Sequence, residues 1–198
     1  MTAPVVRTAS RADVAPLAAT LARAFDDDPV MRWFFPVESV RRRRLPRFLA
    51  ALTRVSALPH DHVYTTDGCR GGALWNPPGT WRTTLAGQLR LAPGTVGQLG
   101  IRLPKALRAF SLIEKHHPHT PHWYLLLLGT DPEHQGGGIG SALMAPILER
   151  CDREGLPAYL ESSKESNIPF YKRHGFEVTG QVDLPGGPSM WPMWRDPA

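Results

Sequence analysis

The sequence predicts a single mixed α/β domain, residues 1–198, in which helices cover a central sheet. Two observations support this fold class. The 198 residues, 42% of them hydrophobic, are enough for one ordinary core, whereas a second domain would crowd it. Strand-like and helix-like segments alternate through the last third of the chain, which is typical of a mixed sheet with helices on its faces.

The first third of the chain is predicted to be mainly helical. A short strand at residues 5–7 precedes Ser10-x-x-Asp13, which is similar to a capping box and marks the start of a helix. The apolar face of that helix consists of Val14, Leu17, Leu21 and Phe25. We expect the helix to end within 26–29 and a second helical stretch to occupy 37–58.

The remaining elements follow from periodicity and turn residues. Two short strands are predicted at 62–66 and 73–75, and broken helices between 81 and 115, where Pro93-Gly94 interrupts helical spacing. The last third predicts strand 122–130, helix 138–154, strand 158–162, helix 167–174 and strands 176–182 and 189–195.

The composition disfavours several classes of protein. No run approaches the roughly 20 apolar residues that a membrane-spanning helix needs. The first eleven residues lack the apolar segment and cleavage site of a secretory signal. The two cysteines, Cys69 and Cys151, imply no disulfide framework. We therefore expect a cytoplasmic protein with no membrane partner.

The formal net charge of +5 is concentrated at arginines 41–44, with Arg47 and Arg54 nearby. Nucleic-acid binding is one interpretation of this run. The other is a solvated helix face that assists the capture of an anionic cofactor. The run lacks interleaved aromatic residues, so we predict no nucleic-acid partner.

A glycine-rich loop follows the strand that ends at Thr130. Its sequence, Gln135-Gly136-Gly137-Gly138-Ile139-Gly140, opens directly into a predicted helix. Such a helix start presents free backbone N–H groups and a positive dipole end, both suited to a pyrophosphate. Glycine matters here because a Cβ would keep phosphate oxygens from the backbone.

Two other phosphate-binding motifs do not fit this loop. A P-loop needs Gly-Lys-Ser/Thr, and Gly140-Ser141 lacks the lysine. A dinucleotide fingerprint needs a third glycine where Leu143 stands. The pattern that fits is Gln-x-x-Gly-x-Gly, at Gln135, Gly138 and Gly140.

This pattern, with Leu-Gly-Thr-Asp-Pro before it, resembles the acetyl-CoA-binding motif of the GNAT acyltransferase superfamily. Segments 158–163 and 167–176 resemble the next strand and helix of that family. Within the superfamily, Asp-Pro-Glu-His-Gln-Gly and Leu-Pro-Gly-Gly-Pro are most similar to puromycin N-acetyltransferases and their actinobacterial relatives. The specific likeness covers about residues 123–195.

The resemblance implies a GNAT fold. Its central sheet is mixed but mostly antiparallel, has about six to seven strands, carries helices on both faces and contains a bulged, splayed coenzyme-binding strand. Residues 1–120 are then the acceptor-side half and residues 121–198 the acetyl-CoA-binding half. Acetyl-CoA is implied as the cosubstrate, with no metal.

The resemblance also implies the coenzyme contacts. They are Leu128, Gly129, Thr130, Gln135, Gly136, Gly137, Gly138, Ile139, Gly140, Ser141, Asn167 and Tyr171. Backbone N–H groups near Leu128 and Gly129 are expected to bind the thioester oxygen and pantetheine. Position 137 is glycine where many relatives have a basic residue, so pyrophosphate binding depends on backbone donors and on arginines elsewhere.

Acetyl transfer to an amine requires a neutral nucleophile, oxyanion donors and a proton for the thiolate. By resemblance, Tyr171 is the acid; the alternative is an aromatic residue packed beside Phe170 and Phe176. Asn167 resembles a pantetheine contact, and the alternative is a helix cap. Each assignment therefore has a purely structural alternative.

The sequence offers several candidates for the catalytic base. Glu161 on its strand is our candidate, against a solvated or paired carboxylate. Asp26, Asp27 and Asp28 lie where the acceptor-binding helices of similar enzymes begin, although Asp before Pro is also an ordinary helix terminator.

Four histidines between 116 and 122 raise a zinc site as a further interpretation. No cysteine or carboxylate falls at ligand spacing among them, so we predict no metal. We interpret His122 as a packing residue at the start of its strand.

The predicted function is direct acetyl transfer from acetyl-CoA to the amine of a small molecule, for example an aminonucleoside-like antibiotic. A protein or peptide acetyltransferase would need a shallow groove, whereas the aromatic, proline-rich segment 75–81 favours a covered pocket. A non-catalytic coenzyme A-binding regulator is the third alternative, against which Tyr171 argues. A homodimer is left open.

Overall fold

The computed structural model describes residues 4–82 and 96–198. Its strands are β1 (Val6–Thr8), β2 (Val63–Thr66), β3 (Gly71–Asn76), β4 (Trp123–Thr130), β5 (Ala158–Ser162), β6 (Glu177–Val178), β7 (Val182–Asp183) and β8 (Ser189–Arg195). They form one eight-stranded sheet in the order β1-β2-β3-β4-β5-β8-β6, with β7 also paired to β8. Among these pairs, β4 and β5 run parallel and the others antiparallel.

The helices are α1 (Val14–Ala24), α2 (Pro29–Phe34), α3 (Glu38–Leu52), α4 (Leu103–His116), α5 (Ile139–Glu154) and α6 (Ile168–Lys172). Helices α1 to α4 share one hydrophobic core, and α5 and α6 share a second core with the opposite face of the sheet. The predicted mixed, mostly antiparallel sheet with helices on both faces is therefore confirmed. Its eight strands exceed the predicted number by one.

Helix starts in the first third follow the local sequence. The predicted capping box forms, because the Ser10 N–H donates to the Asp13 carboxylate at 2.8 Å. Helix α2 is a difference from the prediction, which ended a helix at 26–29 and began no other there. Asp28 caps α2 and Pro29 occupies its first turn, a position that proline favours.

Two other predicted segments differ from the structure. The strand predicted at 176–182 is split into β6 and β7. The broken helices predicted between 81 and 115 lie partly outside the described residues, and the described part forms α4 after a 3-10 turn at Gly100–Arg102. Both cysteines are buried and free. Within 4–82 and 96–198, no helix combines the length and apolar character needed to cross a membrane.

A bulge interrupts the pairing of β4 with β3. Leu74 lies opposite Leu127, but Trp75 lies opposite Leu125, so Leu126 is an extra residue in β4. The extra residue shifts the alternation of side chains along the strand. Leu125 and Leu128, three residues apart, consequently face the same core as α5, while Leu127 faces the core of α1.

Strands β4 and β5 separate just before this bulge. Their pairing extends from Trp123 opposite Ala158 to Leu125 opposite Leu160. Strand β4 continues to Thr130 without further pairing to β5. The predicted bulged and splayed strand is therefore present, and it leaves a gap between β4 and β5.

Candidate active site

The gap between β4 and β5 opens into a cavity of about 860 Å³. Its wall includes almost all of the coenzyme contacts predicted from the sequence. These are Leu128, Gly129, Thr130, Gln135, Gly136, Gly138, Ile139, Gly140, Ser141, Asn167 and Tyr171, whereas Gly137 is not part of the wall. Residues more than 40 positions apart in the sequence are thus brought to one place.

The start of α5 lies at this cavity. Gly136 and Gly138 have φ angles of +78° and +79°, in the left-handed region that glycine adopts readily. Gly138 is the N-cap residue of α5, and no side chain caps this helix end. The first backbone N–H groups of the 16-residue helix are therefore available to an anion in the cavity.

Gly129 allows α1 to pack closely against β4. A Cβ at this position would lie 2.9 Å from Leu21 Cδ2 and 3.1 Å from the Ala24 Cβ. Both atoms belong to α1, whose C-terminal end forms part of the cavity wall. The glycine therefore helps to set the distance between α1 and the gap.

The pairing of β4 with β3 determines which amides face the gap. The Asp131 N–H donates to the Arg70 carbonyl at 2.9 Å, and antiparallel pairing alternates from residue to residue. Gly129 therefore directs its N–H to β3, whereas Leu128 and Thr130 direct theirs into the gap. The Thr130 carbonyl supports this direction, because it accepts a hydrogen bond from the Gln135 side chain at 3.2 Å.

Tyr171 on α6 is buried beside the cavity. Its ring packs against Phe170 at a centroid distance of 5.2 Å and against Phe176 at 6.1 Å. Burial, and then the charge of the Asp28 carboxylate, raise the pKa of its hydroxyl above the usual value for tyrosine. The hydroxyl consequently stays protonated at neutral pH, and the packing and acid interpretations of Tyr171 are compatible.

Asn167 precedes α6 and lies on the cavity wall. Its side chain forms no capping hydrogen bond with α6, although its backbone occupies the N-cap position. The helix-cap alternative raised by the sequence therefore lacks its hydrogen bond, and the carboxamide is available to a ligand.

Three consecutive aspartates line the cavity between α1 and α2. Asp26 forms an ion pair with Arg41 at 2.8 Å, and Asp27 forms one with Lys164. Asp28 is 2% exposed and has neutral hydrogen-bond donors instead of a cation as its partners. Burial raises the pKa of Asp28, and hydrogen bonds from Ser163 and from the Met31 amide oppose this effect in part.

Glu161, the base candidate from the sequence, is not part of the cavity wall. Its buried carboxylate accepts the Tyr124 hydroxyl at 2.8 Å and lies 3.3 Å from His117 Nδ1. His117 Nε2 lies 3.0 Å from His122 Nε2, and His122 Nδ1 lies 2.6 Å from the Thr120 carbonyl. We call His117, His122, Tyr124 and Glu161 the histidine cluster.

The contacts of the histidine cluster require one extra proton. The Thr120 carbonyl can only accept, so His122 Nδ1 donates to it. One proton must lie between the two Nε2 atoms, and another between His117 and Glu161. Two neutral imidazoles and a carboxylate supply one proton fewer. Burial lowers the pKa of His122, which disfavours a second proton on that ring.

The sequence did not reveal this cluster. It drew attention to the histidines as metal-ligand candidates, whereas two of them form hydrogen bonds with each other. Across residues 4–82 and 96–198, no group of three or more histidine, cysteine or acidic residues is arranged to hold a metal ion. Tyr124 and Glu161 are 37 positions apart, so no local pattern signals their contact.

The arginine run is partly internal. Arg41 is buried, pairs with Asp26 and also donates to the Phe35 carbonyl at 3.2 Å. Arg44 donates to the Gln98 carbonyl at 2.8 Å, which ties α3 to the segment before α4. At least two of these arginines thus have structural partners.

A sheet opened by a bulged strand, with an uncapped glycine-initiated helix at the opening, defines a fold suited to a coenzyme with a pyrophosphate. The model of the Acetyltransferase (GNAT) family matches residues 75–176, which is 102 of the 198 residues. The chain therefore belongs to the GNAT family of acetyltransferases and is a transferase.

Relatives and solved structures agree with this assignment. An uncharacterized N-acetyltransferase of Schizosaccharomyces pombe is 29% identical over 181 residues, covering 84% of this chain and 72% of the relative. A second similar protein is a crystal structure from Corynebacterium glutamicum, described as histone acetyltransferase HPA2 and related acetyltransferase. Its TM-score is 0.77 at 24% identity, and the match covers 100% of this chain and 98% of the Corynebacterium chain.

A third similar protein is the polyamine N-acetyltransferase of Drosophila melanogaster, which catalyses the formation of N-acetylagmatine. Its TM-score is 0.61 at 14% identity, and the match covers 97% of this chain and 99% of the Drosophila chain. At these identities the two solved structures establish a shared fold.

Proposed function

We propose that this protein transfers the acetyl group of acetyl-CoA directly to the amine of a small molecule. The observation that carries the proposal is the convergence of three features on one cavity. They are the uncapped start of α5, the Leu128 N–H in the gap and the protonated Tyr171 hydroxyl. In this proposal residues 121–198 bind the coenzyme and residues 1–120 form the acceptor side.

The coenzyme is proposed to bind with its pyrophosphate at Gly136 to Ser141. Backbone N–H groups and the helix dipole favour an anion there, without a lysine or arginine in the loop. The cavity wall adds the cations Arg23, Lys164 and Arg173 around this loop. Pantetheine then extends along β4, within reach of the Asn167 side chain.

Leu128 is proposed to stabilise the oxyanion of the tetrahedral intermediate. Its N–H points into the gap, and preplaced donors of this kind favour the transition state because they need no reorganisation. The Gly129 N–H bonds to β3 and is therefore assigned no role as a donor to the coenzyme.

Tyr171 is proposed to protonate the departing thiolate. A thiol has a pKa near about 8.5, whereas an unperturbed phenol has one near about 10. Burial raises the pKa of Tyr171 further, so the hydroxyl remains available as a donor throughout the neutral range. Proton transfer as the C–S bond breaks then requires close positioning, which its packing between Phe170 and Phe176 provides.

The acceptor is proposed to be a small cationic amine. Asp26, Asp27 and Asp28 line the cavity beside the gap, and carboxylates attract an ammonium group. The polyamine substrate of the Drosophila neighbour is an acceptor of this kind. The likeness to puromycin N-acetyltransferases remains a prediction that places an aminonucleoside among the candidates.

A screen of acetyl transfer tests the proposal. Purified protein and acetyl-CoA are incubated with a library of small amines that includes agmatine and puromycin, and with a library of peptides. Released thiol and acetylated product are both measured. We expect turnover of small amines, whereas turnover of peptides alone would identify a protein acetyltransferase. Coenzyme binding without any thiol release would identify a regulatory protein.

A further inference from the structure

Asp28 is held in place by α2 and by the residue that follows β5. As the N-cap of α2, it accepts a hydrogen bond from the Met31 N–H at Oδ1, at 2.9 Å. Its Oδ2 accepts the hydroxyl of Ser163, directly after β5. The carboxylate is 2% exposed and forms part of the cavity wall. Donors from α2 and from the end of β5 thus hold it at the cavity.

Asp28 differs from its two neighbours in the charge of its partners. Asp26 and Asp27 are each paired with a cation, and the hydrogen bond from Arg41 lowers the pKa of Asp26. An ionised carboxylate has about four lone-pair sites, of which the Met31 and Ser163 donors use two. Asp28 therefore retains acceptor capacity at the wall that also carries Leu128 and Tyr171.

We propose that Asp28 is the catalytic base that takes the proton of the attacking amine and later returns it to Tyr171. This inference rests on the proposed function. The amine nitrogen forms a bond with the acetyl carbonyl carbon, and its N–H proton passes to the Asp28 carboxylate. The C–S bond breaks as the intermediate collapses, and the thiolate takes the proton of the Tyr171 hydroxyl.

The cycle then closes between the two residues that line the cavity. The proton held by Asp28 passes to the Tyr171 phenolate, which restores the carboxylate and the phenol. The sum of these steps converts an amine and a thioester into an amide and a thiol, with no proton left over. No other oxidant, reductant or cosubstrate is required.

The electrostatics of the site suit this exchange. Burial makes Asp28 more basic than an exposed aspartate, and its charge makes Tyr171 more difficult to ionise. The groups that act on Asp28 are Lys164 and Ser163 from the loop after β5, the Val30 and Met31 amides from α2 and Tyr171 from α6. Of these, Lys164 carries a positive charge, and it forms its ion pair with Asp27.

Asn and Ser substitutions separate catalysis from helix capping. Asn caps helices about as well as Asp, because its Oδ1 can accept the Met31 N–H while its Nδ2 donates to the Ser163 hydroxyl oxygen, but it cannot take a proton. We expect Asp28→Asn to lower kcat by about 10²- to 10⁴-fold, the usual contribution of general acid–base catalysis. Acetyl-CoA affinity should be unchanged. Asp28→Ser, which also retains a capping hydroxyl, should reproduce the loss if the Asn variant folds poorly.

Asp13→Asn is the matched control. Asp13 also lies at a helix start and accepts a backbone N–H, but it is not part of the cavity wall. We expect its kcat to equal that of the wild-type protein. Its stability should fall at neutral pH, because the ion pair with Arg7 holds the pKa of Asp13 below its usual value. The raised pKa of Asp28 predicts the opposite sign, so Asp28→Asn should not lower Tm.

The deciding measurement is the pH dependence of kcat/KM with the amine that wild-type protein turns over fastest. Wild-type activity should decline below the pKa of Asp28, at a higher pH than the value of about 3.9 for an ordinary aspartate would give. Asp28→Asn should lack this decline. Wild-type kcat in both Asp28 variants, or an unchanged pH profile, would overturn the base assignment alone. Absence of wild-type turnover with every amine would overturn the proposed function as well.

Discussion

Two regions beside β5 hold a buried carboxylate in opposite ways. In the histidine cluster, Glu161 contacts Tyr124 and His117 and is not part of the cavity wall. At the cavity wall, Asp28 accepts a hydrogen bond on each oxygen and still borders the cavity. Burial alone therefore does not distinguish a structural carboxylate from a reactive one; the remaining acceptor capacity and its access to the cavity do.

The largest effect that we expect in this comparison is at the cavity wall, from Tyr171→Phe. Loss of the hydroxyl should lower kcat by about 10²- to 10⁴-fold and leave acetyl-CoA affinity nearly unchanged, because the ring is retained. Tyr64→Phe on β2 removes a half-buried hydroxyl elsewhere and serves as the control. If the Tyr171→Phe variant turns over at the wild-type rate when the chemical step is rate-limiting, Tyr171 is a packing residue and not the acid.

A smaller effect is expected from Gly138→Asp. An added carboxylate about 4 Å from a bound phosphate costs roughly 4 kcal/mol at an effective dielectric constant of about 20. We therefore expect acetyl-CoA to bind at least about 100-fold more weakly by calorimetry.

Gly155→Asp is the matched control for that variant. Gly155 is also left-handed, with a φ of +65°, but lies at the C-terminal end of α5. The Gly155→Asp substitution adds the same charge far from the glycine loop, so the affinity for acetyl-CoA should be unchanged. If a folded Gly138→Asp protein bound acetyl-CoA as tightly as the wild-type protein, the proposed position of the pyrophosphate at the start of α5 would be wrong.

The smallest effect is expected in the histidine cluster, for Glu161→Gln. An amide cannot satisfy the donors of Tyr124 and His117 as a carboxylate does, and unsatisfied buried donors cost about 1–3 kcal/mol. Denaturant titration should show a loss of that order in the free energy of unfolding, with little change in kcat. A 10²-fold lower kcat at unchanged stability would instead make Glu161 the base, as the sequence suggested, and would contradict the assignment of Asp28.

The fold of residues 121–198 was largely predictable because its sequence signals are local. The glycine loop, the periodicity of Leu143 and Ile147 in α5 and the strand before them lie within about 25 residues. Helix α2 was missed because Asp28-Pro29 is compatible both with the end of one helix and with the start of another. The sequence therefore did not show that Asp28 is the buried N-cap of α2 with Ser163 as its partner.

The histidine cluster could not be predicted for a different reason. His117 and Glu161 are 44 positions apart, and their contact depends on how α4 docks on the sheet. The direction of the Leu128 N–H is equally non-local, since it follows from the register of β4 against β3. Both features become visible only when strand pairing is known.

The extra residue at Leu126 also bears on how this family can change over time. Deleting Leu126 would make Leu125, opposite Trp75, and Leu127, opposite Leu74, consecutive residues, so β4 would pair regularly with β3 and keep each side chain on its present face. A regular strand could then pair with β5 along its length, gaining stability while losing the gap. Proteins with a single-residue deletion at this point should therefore still fold, but selection for activity should eliminate them. This is an example of the trade-off between stability and function.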